Sequence, residues 1–333
     1  MVKSPLKTPM IEPSSQSNHQ GPNNLDGMVI RAQSGFLTVT TDEGEYTCRL
    51  RGRLKQGDQE GDIVAVGDRV TITPHEDGSG EIEAIHERSA EFSRVRTGIK
   101  REFRQILLAN PDQIVIVFAC ADPEPSLRML DRFLVIAEKQ KIDALIVANK
   151  LDLVTPQQAQ AAFGLYTELG YPVIYTSAHT GQGVDHLQEH LKGKLSALAG
   201  PSGVGKSSLL NAIQPELGLH VREVSVSTSK GRHTTRVRQL FPLEFGGYVA
   251  DTPGIRSLAL WDTEPEELDA YFIEMRDLVS SCQFSDCTHT HEPGCAVQAA
   301  VEAGEIHLER YHSYLRLRFG DESEELIEDG GVD

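Results

Sequence analysis

The chain has 333 residues, 39% of them hydrophobic and 24% charged, with a formal net charge of -17. That is the balance of a folded globular protein; no apolar run reaches the length of about 18 residues needed to span a membrane, and no leader-type segment opens the chain, so a cytoplasmic location is expected. The acidic balance argues against a surface built throughout for nucleic acid, although residues 88–104 hold six basic side chains against two acidic ones, and residues 321–333 hold seven acidic and none basic.

Residues 1–24 are rich in Ser, Pro, Asn and Gln and read as a disordered tail. Next come short strand patterns. Residues 29–40 and 45–54 flank the turn Asp42-Glu43-Gly44, and residues 68–73 and 81–85 flank Asp77-Gly78-Ser79-Gly80. Closely spaced hairpins of this kind predict a small β barrel over residues 25–90. Arg49, Arg51, Arg53 and Lys55 alternate along it. In one continuous strand all four would share a face, although Gly52 leaves the backbone open. A basic face on a small barrel resembles the oligonucleotide-binding (OB) fold and suits RNA; a solvated strand face is the plainer alternative. Residues 88–104 read as a basic connector.

From residue 113 the pattern becomes alternating. Continuous apolar runs at 114–120, 144–148, 173–176 and 194–199 predict buried strands. Helical spacing at 127–140, 157–169, 184–191 and 206–213 separates them, and further strands are expected at 237–241 and 248–250. Strand–helix alternation over residues 91–260 implies a mostly parallel α/β sheet covered on both faces. Residues 261–320 read as mostly helical around a Cys/His cluster, and residues 321–333 as an acidic tail.

Gly200-Pro201-Ser202-Gly203-Val204-Gly205-Lys206-Ser207 fits G-x-x-x-x-G-K-[ST], with Ser208 following. Triphosphate packs several negative charges into a small volume. Glycines let the backbone curl its N–H groups toward them, and the next helix adds its positive end. Lys206 is expected on the β and γ phosphates and Ser207 on Mg²⁺. Asn149-Lys150-Leu151-Asp152 ends an apolar strand, where α/β sheets hold ligands. A carboxylate at Asp152 can accept from guanine N1–H and N2–H together, and adenine offers no such pair, so discrimination should be large. Asn149 can tie neighbouring loops, Lys150 can cover the base, and Ser177-Ala178 can offer a backbone N–H to guanine O6.

Asp251-Thr252-Pro253-Gly254 follows a strand. Asp251 suits a water-mediated hold on Mg²⁺, and Gly254 permits a backbone N–H close to the γ-phosphate. Upstream, Thr234 and Thr235 lie in a polar segment, and a threonine there could complete the Mg²⁺ shell. Familiar GTPases place a water-orienting Gln after this motif; here the position is Ile255. Slow intrinsic hydrolysis is therefore expected, with His233 or a group from a partner as the replacement. Cys282, Cys287, His289 and Cys295 make a Cys₃His set of the kind that closes a structural Zn²⁺ tetrahedron, with His291 a competing ligand. Arg310, Arg316 and Arg318 suggest a second basic surface.

In familiar GTPases the phosphate loop precedes the base-selecting motifs. Here the order is reversed, as in a circularly permuted GTPase, and the switch at Asp251 leads directly toward the C-terminal region. The ordered combination of a small barrel, N-K-L-D, G-P-S-G-V-G-K-S-S, G-R-H-T-T, D-T-P-G-I and C-x4-C-x-H-x5-C resembles the bacterial ribosome small-subunit-dependent GTPase family called RsgA or YjeQ, from about residue 25 to 319. The resemblance implies an OB-like barrel, a permuted P-loop GTPase core and a mostly helical zinc-binding domain with Cys282, Cys287, His289 and Cys295 as ligands. It also implies late maturation of the 30S subunit, 16S rRNA and the subunit as partners, GTP and GDP as ligands, stimulation by the subunit, and a monomer. A GTP-dependent regulator of a protein partner and an ATP-using phosphotransferase remain the alternatives.

Overall fold

The structure, a computed structural model, describes residues 24–55, 63–96, 103–218, 238–251 and 263–320. Strands β1 (Leu25–Gln33), β2 (Phe36–Thr41), β3 (Gly44–Leu50), β4 (Arg69–Pro74) and β5 (Ser79–Ile85) close into a barrel in the order β1-β2-β3-β5-β4, with β4 returning to β1. Alternate residues point inward: Val29, Leu37, Val39, Cys48, Val70, Ile72 and Ile82 form its core. The span expected as one strand over residues 29–40 is two. Ser34 (φ 51°) and Gly35 (φ 83°) turn the chain so that Gln33 pairs with Phe36, the double positive-φ turn that suits a tight hairpin.

The expected single basic face on the barrel does not form. β3 stops at Leu50, and Gly52–Lys55 winds into a 3-10 turn. Arg51 and Arg53 both fold onto Glu83 of β5, while the Arg49 guanidinium lies 4.5 Å over the Phe36 ring. Local ion pairing and the break at Gly52 override the alternation. Residues 88–104 are also more than a connector. Arg88 grips the fully buried Asp68 with two bonds, of 2.7 and 2.8 Å, and the chain continues as the hairpin β6 (Glu91–Arg96) and β7 (Phe103–Ala109).

The core sheet contains β8 (Gln113–Ala119), β9 (Asp143–Asn149), β10 (Val173–Tyr175), β11 (Leu195–Ala199), β12 (Arg238–Pro242) and β13 (Tyr248–Asp251). Its order is β10-β9-β8-β11-β13-β12; all neighbours are parallel except the pair β12–β13. Both faces are covered, so β8 is apolar from Ile114 to Ala119: Ile114, Ile116 and Phe118 pack toward α1 (Leu127–Gln140) and α2 (Pro156–Glu168), and Val115, Val117 and Ala119 toward α3 (Val184–Leu191) and α4 (Lys206–Ile213). β12 also pairs antiparallel with β1, Arg31 opposite Gln239. Barrel and core therefore share one continuous 11-stranded sheet.

The C-terminal region holds a 3-10 segment (Pro265–Tyr271), α5 (Ile273–Val279), α6 (Ala296–Glu302) and α7 (Leu308–Phe319). Leu268, Phe272, Met275, Val297, Tyr314 and Leu315 pack together with Val135 of α1. Arg310 does not join a basic surface. It is 1% exposed and bonds Asp131 of α1 and Glu274 of α5. Burial works against its charge, yet the two carboxylates hold it above the ordinary guanidinium range. Tyr166 of α2 donates to the same Asp131 at 2.8 Å, so one buried network joins four helices, α1, α2, α5 and α7, across the joint. Among the described residues no helix is long and apolar enough to cross a membrane.

Candidate nucleotide site and metal cluster

Parallel strands place all their carboxyl ends on one edge of the sheet, and the motif residues lie there. Ala119 of β8 is level with Asn149 of β9, and Leu198 of β11 with Asp251 of β13. The loop after β11 curls through positive φ at Gly200 (128°), Gly203 (84°) and Gly205 (92°) before α4 begins. Two of these positions require glycine for space as well. A Cβ on Gly200 would lie 2.1 Å from the Val117 carbonyl oxygen, and one on Gly205 2.5 Å from Nδ2 of Asn149. Val204 is 1% exposed and anchors the loop in the core below α3 and α4. Lys206, 7% exposed, donates from Nζ to the carbonyls of Gly200 (2.8 Å) and Pro201. Ser202 is exposed, and Pro201, Ser207 and Ser208 are half-buried at the mouth of the loop.

Asn149 is the hub of this edge. Its Nδ2 donates to the Val204 carbonyl at 2.9 Å. Its Oδ1 accepts from Thr176 Oγ1 at 3.1 Å and from the Ala178 backbone N–H at 3.2 Å. One buried side chain, 1% exposed, thus fixes the phosphate-type loop against the loop carrying Ser177-Ala178. Lys150 adopts left-handed backbone (φ 62°) and donates from Nζ to the Asp122 carbonyl in the loop after β8. Leu151 is buried in the core, whereas Asp152 is exposed beside it. Ser177 donates its hydroxyl to Asp152 Oδ1 and accepts the Thr180 N–H at 3.1 Å. The carboxylate is oriented from one side and leaves acceptor capacity on the other. Burial, with Asp152 adding to it, pushes the nearby Cys120 thiol up to about 11, so Cys120 stays neutral there.

Asp251 ends β13 at the same edge. His233, Thr234, Thr235 and Gly254 lie outside the described residues, as does Ile255. The sequence motifs gave no sign of Thr176 and Asp122, the partners of Asn149 and Lys150. A polar residue that closes a buried network from the next strand carries no local pattern.

Cys282, Cys287, His289 and Cys295 present ligand atoms all within 4.8 Å of one another. His289 faces the sulfurs with Nδ1, 3.4 Å from Cys295 Sγ and 3.6 Å from Cys282 Sγ. Its Nε2 meets Asp269 Oδ2 at 3.1 Å, the outer carboxylate that fixes ring orientation at metal sites. Sequence spacing did not reveal Asp269, which sits 20 residues upstream on the 3-10 segment. His291, the competing ligand, instead bonds Thr290 Oγ1 from an exposed position. Burial pushes the Cys287 thiol up to about 12 and raises that of Cys295; thiolates at this spot need a cation sharing the site. Three sulfurs, one imidazole and an orienting carboxylate fit a tetrahedral metal ion.

Family models match the chain in two places: that described as RsgA GTPase over residues 85–261, and that described as RsgA N-terminal domain over residues 26–82. A small ribosomal subunit biogenesis GTPase RsgA of Gemmatimonas aurantiaca is 47% identical over 296 residues, 88% of this chain and 96% of that protein. The protein of the same name from Thermotoga maritima is 44% identical over 296 residues, covering 87% and 95%. The crystal structure of YjeQ from Thermotoga maritima matches with a TM-score of 0.72 at 42% identity, over 91% of this chain and 99% of that one. YloQ, described as a circularly permuted GTPase, matches with a TM-score of 0.70 at 34% identity, over 96% and 100%.

Proposed function

We propose, because this chain belongs to the RsgA GTPase family, that it hydrolyses GTP in the late maturation of the small (30S) ribosomal subunit and is stimulated by that subunit. The relatives' printed name supports the ribosomal part. The nucleotide part rests on a single observation, the cross-tie by Asn149 of the phosphate-type loop to the Ser177-Ala178 loop. That tie holds a base-recognising carboxylate and a phosphate cradle at a fixed separation before any ligand arrives, which lowers the cost of binding.

In this reading the backbone from Gly200 to Gly205 binds the phosphates, and Lys206 exchanges its two loop carbonyls for β- and γ-phosphate oxygens. Asp152 accepts from guanine N1–H and N2–H, Ala178 N–H is shared between Asn149 Oδ1 and guanine O6, and the stem of Lys150 lies along the base. Ser207 and Thr235 would hold Mg²⁺, with Asp251 acting through water, and the ion would draw charge from the β and γ oxygens. Gly254 N–H meets the γ-phosphate. Water attacks the γ-phosphorus, and GDP and inorganic phosphate leave. His233 is the proposed group that positions this water, and Ile255 explains the dependence on a partner.

The metal at Cys282, Cys287, His289 and Cys295 is Zn²⁺, because a closed Cys₃His set suits it. The barrel spans residues 25–90, the GTPase core 91–260 and the zinc domain 261–320. The chain acts as a cytoplasmic monomer on 16S rRNA within the subunit. The test is the rate of GTP hydrolysis with and without purified small subunits. Stimulation of at least roughly tenfold is expected, a modest demand beside the 10³–10⁵ that partners supply to other GTPases. An unchanged rate at saturating subunit contradicts the proposal.

A further inference from the structure

One group of cations outside both sites forms no ion pair among the described residues. Arg128 and Arg132 stand one turn apart on α1 and share a face. Nε of Arg132 is buried with no hydrogen-bond partner among the described residues. Burial, and then the neighbouring Arg128, hold its pKa below the ordinary guanidinium value. Asp131, next in sequence, is committed to Arg310. Arg128 is exposed and reaches across to the last turn of α7, donating to the Arg316 carbonyl at 3.3 Å. One turn earlier on α7, the half-buried His312 is lowered in pKa by burial and by Arg316, with Glu309 pulling the other way. Arg128 therefore meets the turn of α7 that carries Arg316 where the core joins the C-terminal region, with Arg132 beside it on α1 and His312 and Glu309 earlier on α7. In a chain of 49 acidic and 32 basic residues, this local reversal is notable. A buried guanidinium N–H without a partner is costly, and an external phosphate that drew the side chain outward would remove that cost.

We propose that Arg128, Arg132 and Arg316 form a phosphate-binding site for an RNA backbone, set across the joint between α1 and α7. Guanidinium groups bind phosphate with paired N–H donors. Contacts of guanidinium with phosphate position RNA without choosing sequence. A strand seated there touches the core and the C-terminal region together. Only the identity of the RNA, that of the small subunit, rests on the ribosomal reading.

The experiment uses the full chain and measures affinity at several salt concentrations for purified small subunits and, separately, for a bare RNA duplex. The double substitution Arg128→Gln, Arg132→Gln should weaken both roughly tenfold at moderate salt. It should lower the slope of log K against log salt by about two, one per lost phosphate contact. Lysine at both positions should restore most of the slope. GTP hydrolysis without subunits should be unchanged, which reports intact folding; if the double variant does not fold, Arg128→Gln alone should lower the slope by about one. Unchanged affinity and slope for the duplex overturn the site, as does a parent chain that binds no duplex. If the substitutions weaken only the binding of an acidic protein segment, the patch serves a protein and the proposal fails. A parent that binds duplex but not subunits removes the ribosomal reading and leaves the site in place.

Discussion

At the residue scale, the sheet edge tolerates no added atom where backbone meets backbone. Gly200→Ala would force a Cβ to 2.1 Å from the Val117 oxygen at a φ of 128°. We expect it to cost about 1–3 kcal/mol of stability and to weaken GTP at least roughly tenfold. Gly52→Ala, where nothing lies within 4 Å, should be neutral in the same thermal unfolding and nucleotide titrations. A neutral Gly200→Ala would mean the loop is not held against β8. The glycines, Lys206, Asn149 and Asp152 were legible because their chemistry demands fixed local spacing. The residues that hold them were not. Thr176 fixes Asn149, and Asp269 fixes His289, across 27 and 20 positions, and no periodicity marks such pairs in advance.

At the element scale, the joint between core and C-terminal region is a buried ion network. Removing the cation by Arg310→Met leaves Asp131, still bonded by Tyr166, and Glu274 buried without a countercharge, and should cost about 3–5 kcal/mol. Adding Asp131→Asn and Glu274→Gln should recover part of that loss in denaturant titrations; no recovery would show that packing, not charge, carries the effect. Sequence pattern placed Arg310 on a basic surface with Arg316 and Arg318. Its helix was right, but its face was decided by distant α1 and α5. The barrel gives a pH-dependent counterpart. A hydrogen bond from Arg51, outweighing partial burial, holds Glu83 below its ordinary value of 4.5. A carboxylate with a lowered folded pKa stabilises above its unfolded pKa, and that stability fades as pH falls from about 4.5 through the folded value. Glu83→Gln should flatten the decline in stability below pH 4.5, as read by unfolding at each pH. An identical decline in parent and variant would remove Glu83 from the cause.

At the scale of the whole molecule, the parallel core strands were readable because apolar runs buried on both faces are unmistakable, but their spatial order was not. The joining of barrel and core was not. β1 is an ordinary amphipathic strand, and nothing in it announces the pairing of Arg31 and Ala32 with β12. That pairing has a consequence for the permuted motif order: β12 and β13, the strands on either side of the short turn before Asp251, connect the nucleotide edge to the barrel through one sheet. The proposed function depends on one site accepting guanine and rejecting adenine. The most direct measurement is Mg²⁺-dependent binding of GTP and of ATP to the parent chain and to Asp152→Asn. A preference for GTP of about 10⁴-fold is expected in the parent. A fall of roughly 100-fold in that preference is expected in the variant, corresponding to about 3 kcal/mol of lost charged hydrogen bonding, with ATP binding no weaker. Equal affinity for the two nucleotides, or a preference indifferent to the change at Asp152, would contradict it.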